Sequence, residues 1–361
     1  FEPGLSNAST AIFGDNIYTA VRAAYIPDPN LKWEVVRSID LGLDLRAFNN
    51  KWNMEVNFYD RTTTGILTRL TIPNEDRQYF TNLGKITNKG IEVSTGWNDA
   101  LENGISYGVS ANFSYNKNIV NPIGDNINFQ LIGNGGANKT ESGKSIGYFY
   151  GYQQTGIYQT PSQIENMPYY NNALPGDIMY ADIDGNDTIN TADRTYLGTP
   201  FPPYSFGASF NIGYKGFDLI VEGQGVAGNK IYTQRRTARF ADLNYEANRL
   251  KAWTGPGTSN VEPILDKNRE NNYIFSSYYL ESGDYFRLRT LQLGYTFSSG
   301  ILGNGPVKAA RVYISGQNIK TWSTVTGYSP EAPIGSILGG GADNGIYPIP
   351  ATYTFGINLT F

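Results

Sequence analysis

The strongest constraint on the fold is an alternation of apolar and polar side chains in segments of about ten residues. At the end of the sequence, "ATYTFGINLTF", apolar residues occupy every second position: Tyr353, Phe355, Ile357, Leu359 and Phe361. Residues 39–47 and 52–59 repeat the pattern on either side of "FNNK", which predicts a β-hairpin. Because alternate side chains of a strand point to opposite faces, each segment predicts a strand with one apolar and one polar face.

The connections between these segments alternate in length. We predict about nine strands, at residues 39–47, 52–59, 91–97, 105–115, 206–214, 217–221, 284–297, 310–319 and 353–361. The short connections are 48–51, 99–104, 215–216 and 298–309, and the long ones are 61–90, 116–205, 226–283 and 320–350. Outer-membrane barrels combine short periplasmic turns with long extracellular loops, and about 9–11 residues of tilted strand cross the bilayer core. The sequence therefore predicts an all-β fold, a transmembrane antiparallel β-barrel with long extracellular loops.

The composition excludes several classes of function. There is no Cys and no His among the 361 residues, which removes a Cys nucleophile, a disulfide framework, a His-ligated metal and a Ser-His-Asp triad. The net charge of −4 and the pI of about 5.1 argue against nucleic acid as a partner. Acidic and amide side chains on the polar face, such as Asp44, Glu55 and Asn211, fit a wet lumen better than a packed core.

Nine strands do not make a complete barrel of this type, because bacterial single-chain barrels have even strand numbers and lipid does not tolerate an open sheet edge. We therefore expect residues 1–361 to be the C-terminal portion of a larger barrel, beginning in an extracellular segment. Residues 116–205 form its longest expected extracellular loop. The strand from Tyr353 to Phe361 would then pair with a strand outside these residues.

The sequence resembles the SusC-type TonB-dependent transporters (RagA/SusC family) of the Bacteroidetes outer membrane. The resemblance extends over nearly the whole chain in order, through "DPNLKWE", "NFYDRTTTGIL", "NLGKITNKGIEV", "PGDIMYADIDGNDTINTADRTYLGTPFPPYSFG", "YKGFDLIVEGQGVAGNKIY", "GDYFRLRTLQLGYTF", "RVYISGQNIKTW" and "DNGIYPIPATYTFGINLTF". It implies a 22-stranded barrel containing an N-terminal plug, and energised import of glycans or oligopeptides. It also implies a SusD-type surface lipoprotein and the TonB complex as partners. The plug, the TonB box and the first barrel strands would lie outside these residues, and Phe361 resembles a signal for outer-membrane assembly.

One local motif predicts a metal site. In "DIDGNDTINTAD" (182–193), oxygen-bearing side chains fall at positions 1, 3, 5, 7, 9 and 12 of an EF-hand-type loop: Asp182, Asp184, Asn186, Thr188, Asn190 and Asp193. Two positions depart from the pattern, because Asp187 replaces the usual Gly and Asp193 the usual Glu. The motif predicts either a structural calcium ion that stiffens the long loop, or an Asx-rich turn that needs no metal.

Tyrosines are frequent in the same loop, and six of them are candidate substrate contacts: Tyr148, Tyr150, Tyr152, Tyr158, Tyr169 and Tyr170. Exposed aromatic rings can stack on sugars or pack against a peptide. The alternative, which we favour, is that these rings pack the loop onto itself or meet the lipoprotein lid.

Two further segments are considered as possible binding sites. We expect the arginines of "QRRTARF" (234–240) to pair with Asp242 and Glu246 or with lipopolysaccharide phosphates, rather than with an acidic substrate. The glycine-rich "LGGGADNG" (338–345) lacks the strand-to-helix context of a phosphate-binding loop, so we reject that function for it.

Three classes of function stay in competition. We favour a transport barrel that makes and breaks no bond, with levan, other glycans and oligopeptides all open as substrates. An outer-membrane adhesin without transport is the first alternative. A soluble glycan-binding protein or glycosidase is the second, and its carboxylate pair would be Asp182 with Asp184 or Glu141 with Asp177. Nothing else in the chain supports catalysis, and we expect no enzyme.

Overall fold

One large antiparallel sheet dominates the computed structural model, which describes residues 5–23, 25–71, 78–122, 130–237, 245–297 and 305–361. Its strands, with those of the loops, are in chain order β1 (Leu5–Phe13), β2 (Asn16–Ala23), β3 (Tyr25–Pro27), β4 (Val35–Ala47), β5 (Trp52–Thr71), β6 (Gln78–Ala100), β7 (Ser106–Val120), β8 (Gln130–Gly133), β9 (Asn138–Glu141), β10 (Tyr148–Gly151), β11 (Gln154–Ile157), β12 (Ile178–Tyr180), β13 (Thr195–Gly198), β14 (Tyr204–Tyr214), β15 (Phe217–Ala227), β16 (Lys230–Tyr232), β17 (Leu280–Ser282), β18 (Tyr285–Phe297), β19 (Ala309–Ser323) and β20 (Thr352–Thr360).

In the described ranges, helical structure is confined to short turns in the loops. They include one α-helix, α1 (Pro161–Asn166), which begins at the N-cap Thr160. The 3₁₀ turns are Asn134–Gly136, Thr191–Asp193, Gln234–Thr237, Ala247–Lys251, Glu270–Tyr273 and Ser277–Tyr279. No helix in the described ranges is long and apolar enough to cross a membrane.

All nine predicted strands lie in the large sheet, in the order β4-β5-β6-β7-β14-β15-β18-β19-β20. Strands that are neighbours along the chain pair antiparallel, for example Phe58 with Leu41 and with Ile91. Strand β7 pairs directly with β14 across the longest loop, and the short β3 adds a parallel pairing to β6. This up-and-down order confirms the predicted all-β barrel wall.

The prediction of a long loop at 61–90 is wrong. Strand β5 continues for 20 residues and β6 for 23, and they stay paired as far as Thr71 and Gln78. Only residues 72–77 separate the two strands. Since about 9–11 residues cross a bilayer core, this hairpin extends well beyond it. The extension is rich in Thr and Asn, and its apolar residues, such as Leu67, Leu70 and Phe80, do not alternate with polar ones. The pattern of alternation therefore did not reveal it.

The strands of the sheet carry one apolar face and one polar face. The apolar face presents exposed side chains such as Leu41, Phe58, Val109, Leu293 and Phe355. Register aligns these residues across strands, as Ile314 lies opposite both Leu293 and Phe355. Water would make so many exposed aliphatic and aromatic groups costly, whereas a hydrocarbon environment suits them.

The packed core of the chain lies in the loops. Ten buried side chains form it: Ala137, Phe149, Tyr152, Ile157, Ile178, Tyr180, Ile189, Tyr232, Tyr278 and Tyr279. They come from two connections that the sequence predicts as separate loops, β7–β14 and β15–β18. Each connection has its own short sheet, β13-β10-β9-β8 in the first and β16-β17 in the second. A bridge between Tyr152 and Ser276 joins the two connections. The long connections therefore form one folded unit, the loop body, at the end of the strands.

Candidate functional site

The polar face of the large sheet is a wall of amide, hydroxyl and carboxylate groups. Shallow cavities along it are lined by residues of several strands, including Ser110, Asn112, Glu222, Gln224 and Arg289. Near the long loops the wall continues to Gln317 and Glu331. In a barrel whose apolar face contacts lipid, this face lines the interior. It is therefore the surface along which a polar solute would pass.

Side-chain amides on this face lie over glycines of neighbouring strands. A Cβ atom at Gly42 would lie 2.6 Å from the Asn57 Oδ1 atom, and one at Gly96 would lie 2.5 Å from the Asn53 Oδ1 atom. A larger residue at either position would force the Asn side chain to move. The sequence contains a trace of this arrangement, since Gly42 and Gly96 occupy polar-face positions directly opposite the asparagines.

Ion pairs fix part of the polar wall. Arg311 binds both carboxylate oxygens of Asp218 across β18, with Nε 3.0 Å and Nη2 2.5 Å from them. Arg61 donates to Asp40 at 3.0 Å. Four other carboxylates of this face have no cation within 4.0 Å in the described part of the chain: Asp44, Glu55, Glu92 and Glu222. These four carboxylates leave unpaired acceptors on the polar face.

The loop between β19 and β20 is attached to the top of the wall through Arg287. This side chain is 4% exposed, donates from Nε to Thr321 Oγ1 at 2.9 Å and from Nη1 to Glu331 at 3.1 Å. The Tyr285 hydroxyl donates to the other oxygen of Glu331 at 2.7 Å. Glu331 thus holds the loop over the strand ends by a bidentate contact.

The EF-hand-like segment forms a tight loop that brings three of its carboxylates together. Oxygen atoms of Asp182, Asp184 and Asp193 all lie within 4.8 Å of one another. Asp187 has φ of 60°, so an Asp adopts the left-handed conformation for which the EF-hand pattern uses Gly. Ile189, at the hydrophobic position, is buried in the loop core. Both departures from the pattern therefore still permit the loop geometry.

Backbone amides surround the carboxylates of this loop. Asp182 accepts from Gly185 at 2.7 Å and from Asp187 at 2.8 Å, and Asp193 accepts from Ile183 at 2.8 Å and Asn190 at 2.7 Å. Desolvation raises the pKa of Asp182. The backbone amides that donate to it, chiefly those of Asp187 and Gly185, outweigh this effect, so its pKa lies below the ordinary value. The carboxylate is consequently ionised, as a cation ligand must be.

The other predicted ligands are engaged within the turn. Asn186 donates to Asp184 at 2.9 Å and accepts from the Thr188 amide at 2.9 Å. Asn190 caps the short turn at Ala192 and donates to the carbonyl oxygen of Thr188. The three carboxylates are thus gathered, while the side-chain oxygens at positions 5 and 9 accept local hydrogen bonds.

The six candidate tyrosines do not share one surface. Tyr148, Tyr152 and Tyr158 are at most 5% exposed, and Tyr150 and Tyr170 are half-buried. Tyr169 is 46% exposed. The Tyr152 ring packs against the Tyr170 and Tyr180 rings at 5.6 and 5.3 Å. Contact with a solute therefore remains a prediction chiefly for Tyr169.

The buried phenols have hydrogen-bond partners that hold the loop closed. The Tyr148 hydroxyl donates to Glu141, which also pairs with Lys139 at 2.6 Å. Tyr158 donates to the carbonyl oxygen of Pro168 at 2.5 Å. Burial, reinforced by the charge of Asp177, raises the pKa of Tyr158 to about 12. These tyrosines stay neutral donors at any physiological pH.

The arginines of the 234–240 segment bind acidic groups of the same region. Arg235 pairs with Glu246 and Asp343, and Arg236 pairs with Glu246 and Glu281. The predicted pairing with Glu246 is therefore confirmed, and Asp242 lies outside the described residues. Sequence spacing did not reveal Glu281 and Asp343, which come from distant segments of the chain.

The glycine-rich segment 338–345 belongs to a longer strap, residues 333–345, which lies over the loop body. The Tyr232 amide donates to the Gly341 carbonyl at 2.8 Å, and the Asn138 side chain donates to that of Gly340 at 3.3 Å. A Cβ at Gly147 would lie 2.3 Å from the carbonyl oxygen of Ile337. Within the segment, Gly341 has φ of 84°, and a Cβ there would lie 2.4 Å from the Pro200 Cβ. Close packing on the loop body therefore explains this glycine.

The second carboxylate pair considered for glycoside hydrolysis has structural partners. Asp177 is 1% exposed and accepts from Asn272 at 3.0 Å, from the Leu174 amide at 2.9 Å and from Arg269 at 3.2 Å. Glu141 is bound to Tyr148 and Lys139. Each carboxylate thus organises the loop around it.

Comparison with known proteins identifies the class to which this wall and its loops belong. A family model described as TonB dependent receptor-like, beta-barrel matches residues 1–319, and the chain belongs to this family. "TonB-dependent receptor P3" of Formosa agariphila is 32% identical over 97% of this chain. "TonB-dependent receptor SusC" of Bacteroides thetaiotaomicron is 25% identical, also over 97% of it. The chain covers 36% and 34% of those two proteins, about a third of their length.

Solved structures show the same fold. The chain superposes along its whole length on the RagAB peptide transporter, with a TM-score of 0.79 and 22% identity, and covers 38% of that chain. The RagAB peptide importer in its "open-open" state gives a TM-score of 0.78. The predicted recognition and the predicted barrel are thereby confirmed.

Proposed function

We propose that the protein imports a nutrient across the bacterial outer membrane, taking up glycans or oligopeptides together with a SusD-type surface lipoprotein. The polar wall carries this proposal. Nine adjacent strands present polar groups on one face and apolar groups on the other, which is the arrangement of a barrel that encloses a wet path in lipid.

Three observations support this function. The family of the chain is that of TonB dependent receptor-like barrels. Its relatives are named TonB-dependent receptors, and SusC is one of them. The loop body is large and folded, so it offers a stable surface to a lid. Energy coupling through the TonB complex, and a plug within the barrel, belong to the proposal because the chain covers only about a third of its relatives' length.

Uptake and partner composition test the proposal together. A tagged version of the native protein is extracted from outer membranes in detergent, and the co-purifying chains are identified by mass spectrometry. Uptake of labelled oligosaccharides and oligopeptides is compared between wild-type and deletion strains, with and without a proton uncoupler. We expect a lipoprotein partner and an uncoupler-sensitive uptake that the deletion abolishes. Surface binding without any uptake defect would instead indicate an adhesin.

We also propose that residues 182–193 bind a structural Ca²⁺ ion. Asp182, Asp184 and Asp193 are the ligands supported by the gathered carboxylates, and Asn186, Thr188 and Asn190 complete the predicted set. Oxygen ligands at such spacing suit a hard cation. The ion would offset the repulsion between the three carboxylates and stiffen a loop that packs on the core through Ile189.

Protease protection tests calcium binding. With calcium, we expect cleavage within 182–193 to slow by about thirtyfold relative to a chelator, since ligand at about 30 times Kd stabilises the bound form by roughly 2 kcal/mol. Asp184→Asn removes an exposed ligand and should abolish the difference. Asp266→Asn, in another loop, is the matched control and should retain it. Equal cleavage in calcium and chelator would contradict the proposal.

A further inference from the structure

A groove lies where the end of β7 meets the loop body, and Lys117 lines it from the apolar side of the sheet. We define this outer groove by the residues that line it: Lys117, Asn118, Lys144, Ser145, Tyr196 and Phe201. Its volume is about 370 Å³. The segment around Lys144 is held on the strand end, since Val120 donates to the Lys144 carbonyl and Ile146 donates to Asn118, both at 2.8 Å.

The outer groove is continuous with the apolar face. Lys117 follows Phe113 and Tyr115 at alternate positions of β7, so it points to the same side. The Tyr115 ring, which also lines the groove, stacks on the Tyr204 ring at 5.1 Å. Aromatic residues at this level are typical of the membrane–water interface. The groove therefore lies just outside the hydrocarbon region, at the extracellular leaflet.

Two cations face this groove without an acidic partner. Lys117 and Lys144 are exposed, and neither has a carboxylate within 4.0 Å in the described ranges. Lys89, directly opposite Lys117, is neutralised by Asp60 at 2.7 Å. The charge of Lys144 reaches Glu141, but that carboxylate is already bound to Lys139 and Tyr148. The Lys144 Nζ atom lies 5.7 Å from the centre of the Tyr196 ring.

We propose that the outer groove binds the phosphate-bearing head group of an outer-leaflet glycolipid. The ammonium groups of Lys117 and Lys144 would contact phosphate, Tyr196 would pack against a sugar ring, and the acyl chains would lie along Phe113 and Tyr115. Paired cations beside an aromatic, lipid-facing surface match such a ligand in both charge and shape. A free phosphate ion would use the lysines only and leave the apolar continuation of the groove without a role.

This proposal requires the apolar face to contact lipid, but it does not require transport. Lys117 and Tyr115 lie on the opposite side of the wall from the polar face, so their loss should leave substrate binding intact. Failure of the uptake experiment and failure of this one are therefore distinguishable.

Lipid counting by native mass spectrometry tests the site. The full-length protein, delipidated in neutral detergent, is titrated with diphosphoryl lipid A and, separately, with its dephosphorylated form. Lys117→Gln with Lys144→Gln should weaken binding of the phosphorylated lipid by about 25-fold, at about fivefold per lysine. Lys117→Arg with Lys144→Arg should retain binding. Lys215→Gln with Lys308→Gln, which removes two exposed lysines outside the groove, is the matched control.

Four results would overturn the proposal. One is unchanged lipid affinity in the double Gln variant when its heat-modifiable mobility shows a folded barrel. Another is equal binding of the dephosphorylated lipid. The third is displacement of the lipid by millimolar inorganic phosphate, which would show that the groove holds an adventitious anion only. The fourth is loss of a protein dimer, and not of bound lipid, in the double Gln variant. That result would assign the groove to a second copy of the chain.

Discussion

At the scale of single residues, close backbone contacts make specific glycines necessary. Gly147 has φ of 58° and faces the carbonyl oxygen of Ile337 in the strap, and its own carbonyl accepts from Asn138. Asn138 also binds the strap at Gly340. The contact between strap and loop body therefore depends on the absence of a side chain at Gly147.

Gly147→Ala should loosen the strap. The new Cβ would lie 2.3 Å from the Ile337 carbonyl oxygen, and overpacking of this kind costs about 1–3 kcal/mol. We expect protease cleavage within 333–343 to accelerate by about tenfold or more, since 1.4 kcal/mol corresponds to a factor of ten. Gly135→Ala is the matched control, because Gly135 has φ of 63° with open space around it. Similar rates in both variants would mean that backbone strain, and not the strap contact, is responsible.

The stability of the loop body depends on pH through the Tyr158 phenol. Its pKa is raised to about 12 because it is buried and near Asp177, whereas an unfolded tyrosine titrates near pH 10. The opened state therefore releases a proton first as pH rises. The stability that the neutral phenol provides is complete below about pH 10 and is lost as pH rises through about 12.

Alkaline titration of the loop body measures this effect. We expect tyrosinate absorbance to show opening between about pH 10 and 12, and Tyr158→Phe to remove up to one proton from the slope of stability against pH. Tyr169→Phe, which removes an exposed phenol, should leave the transition unchanged. A Tyr158→Phe slope identical to that of the wild type would contradict the assignment.

At the scale of elements, the strands could be predicted wherever lipid dictates the pattern. Each of the nine predicted strands has its alternation because one face requires apolar residues, as in β20 from Tyr353 to Leu359. Outside the bilayer that requirement ends, so the upper halves of β5 and β6 carry threonine and asparagine on both faces. Their pairing rests on backbone hydrogen bonds, which leave no apolar period in the sequence.

For the candidate sites too, some contacts could be predicted from the sequence and others could not. The carboxylates of 182–193 lie within one short loop, so their spacing was sufficient to predict that they meet. The acidic partners of Arg235 and Arg236 at Glu281 and Asp343 depend on contacts between separate loops. Local spacing contains no information about such contacts.

An engineered disulfide tests the extended hairpin. Thr62 and Thr87 are directly opposed, with hydroxyl oxygens 3.0 Å apart. The chain has no cysteine, so Thr62→Cys with Thr87→Cys forms a bridge without background. We expect near-complete oxidation in air. Thr62→Cys with Lys85→Cys is the control, since diagonal positions are about 7–8 Å apart, beyond the usual range for a disulfide. Equal oxidation of both pairs would indicate a loose loop at 61–90.

At the scale of the whole molecule, two environments divide the chain. The apolar face of the sheet has no protein covering it in the described ranges, while the packed core lies in the loop body. A water-soluble β protein would bury its apolar face and expose its loops. The distribution of burial is thus that of a wall stabilised by lipid on one side and carrying a folded cap at one end.

A pair of adjacent arginine substitutions tests which face meets lipid. Leu291 is at the middle of β18 on the apolar face, and Gln292 lies next to it on the polar face. Leu291→Arg should destabilise the barrel in liposomes by about 2–4 kcal/mol, the cost of a cation at the bilayer midplane, while Gln292→Arg should cost about 1 kcal/mol or less. The measurement is the free energy of unfolding in urea, with heat-modifiable mobility as the check on assembly. If the faces were reversed, Gln292→Arg would be the damaging change. If the chain were soluble, neither substitution would depend on the presence of lipid, because both arginines would lie in water.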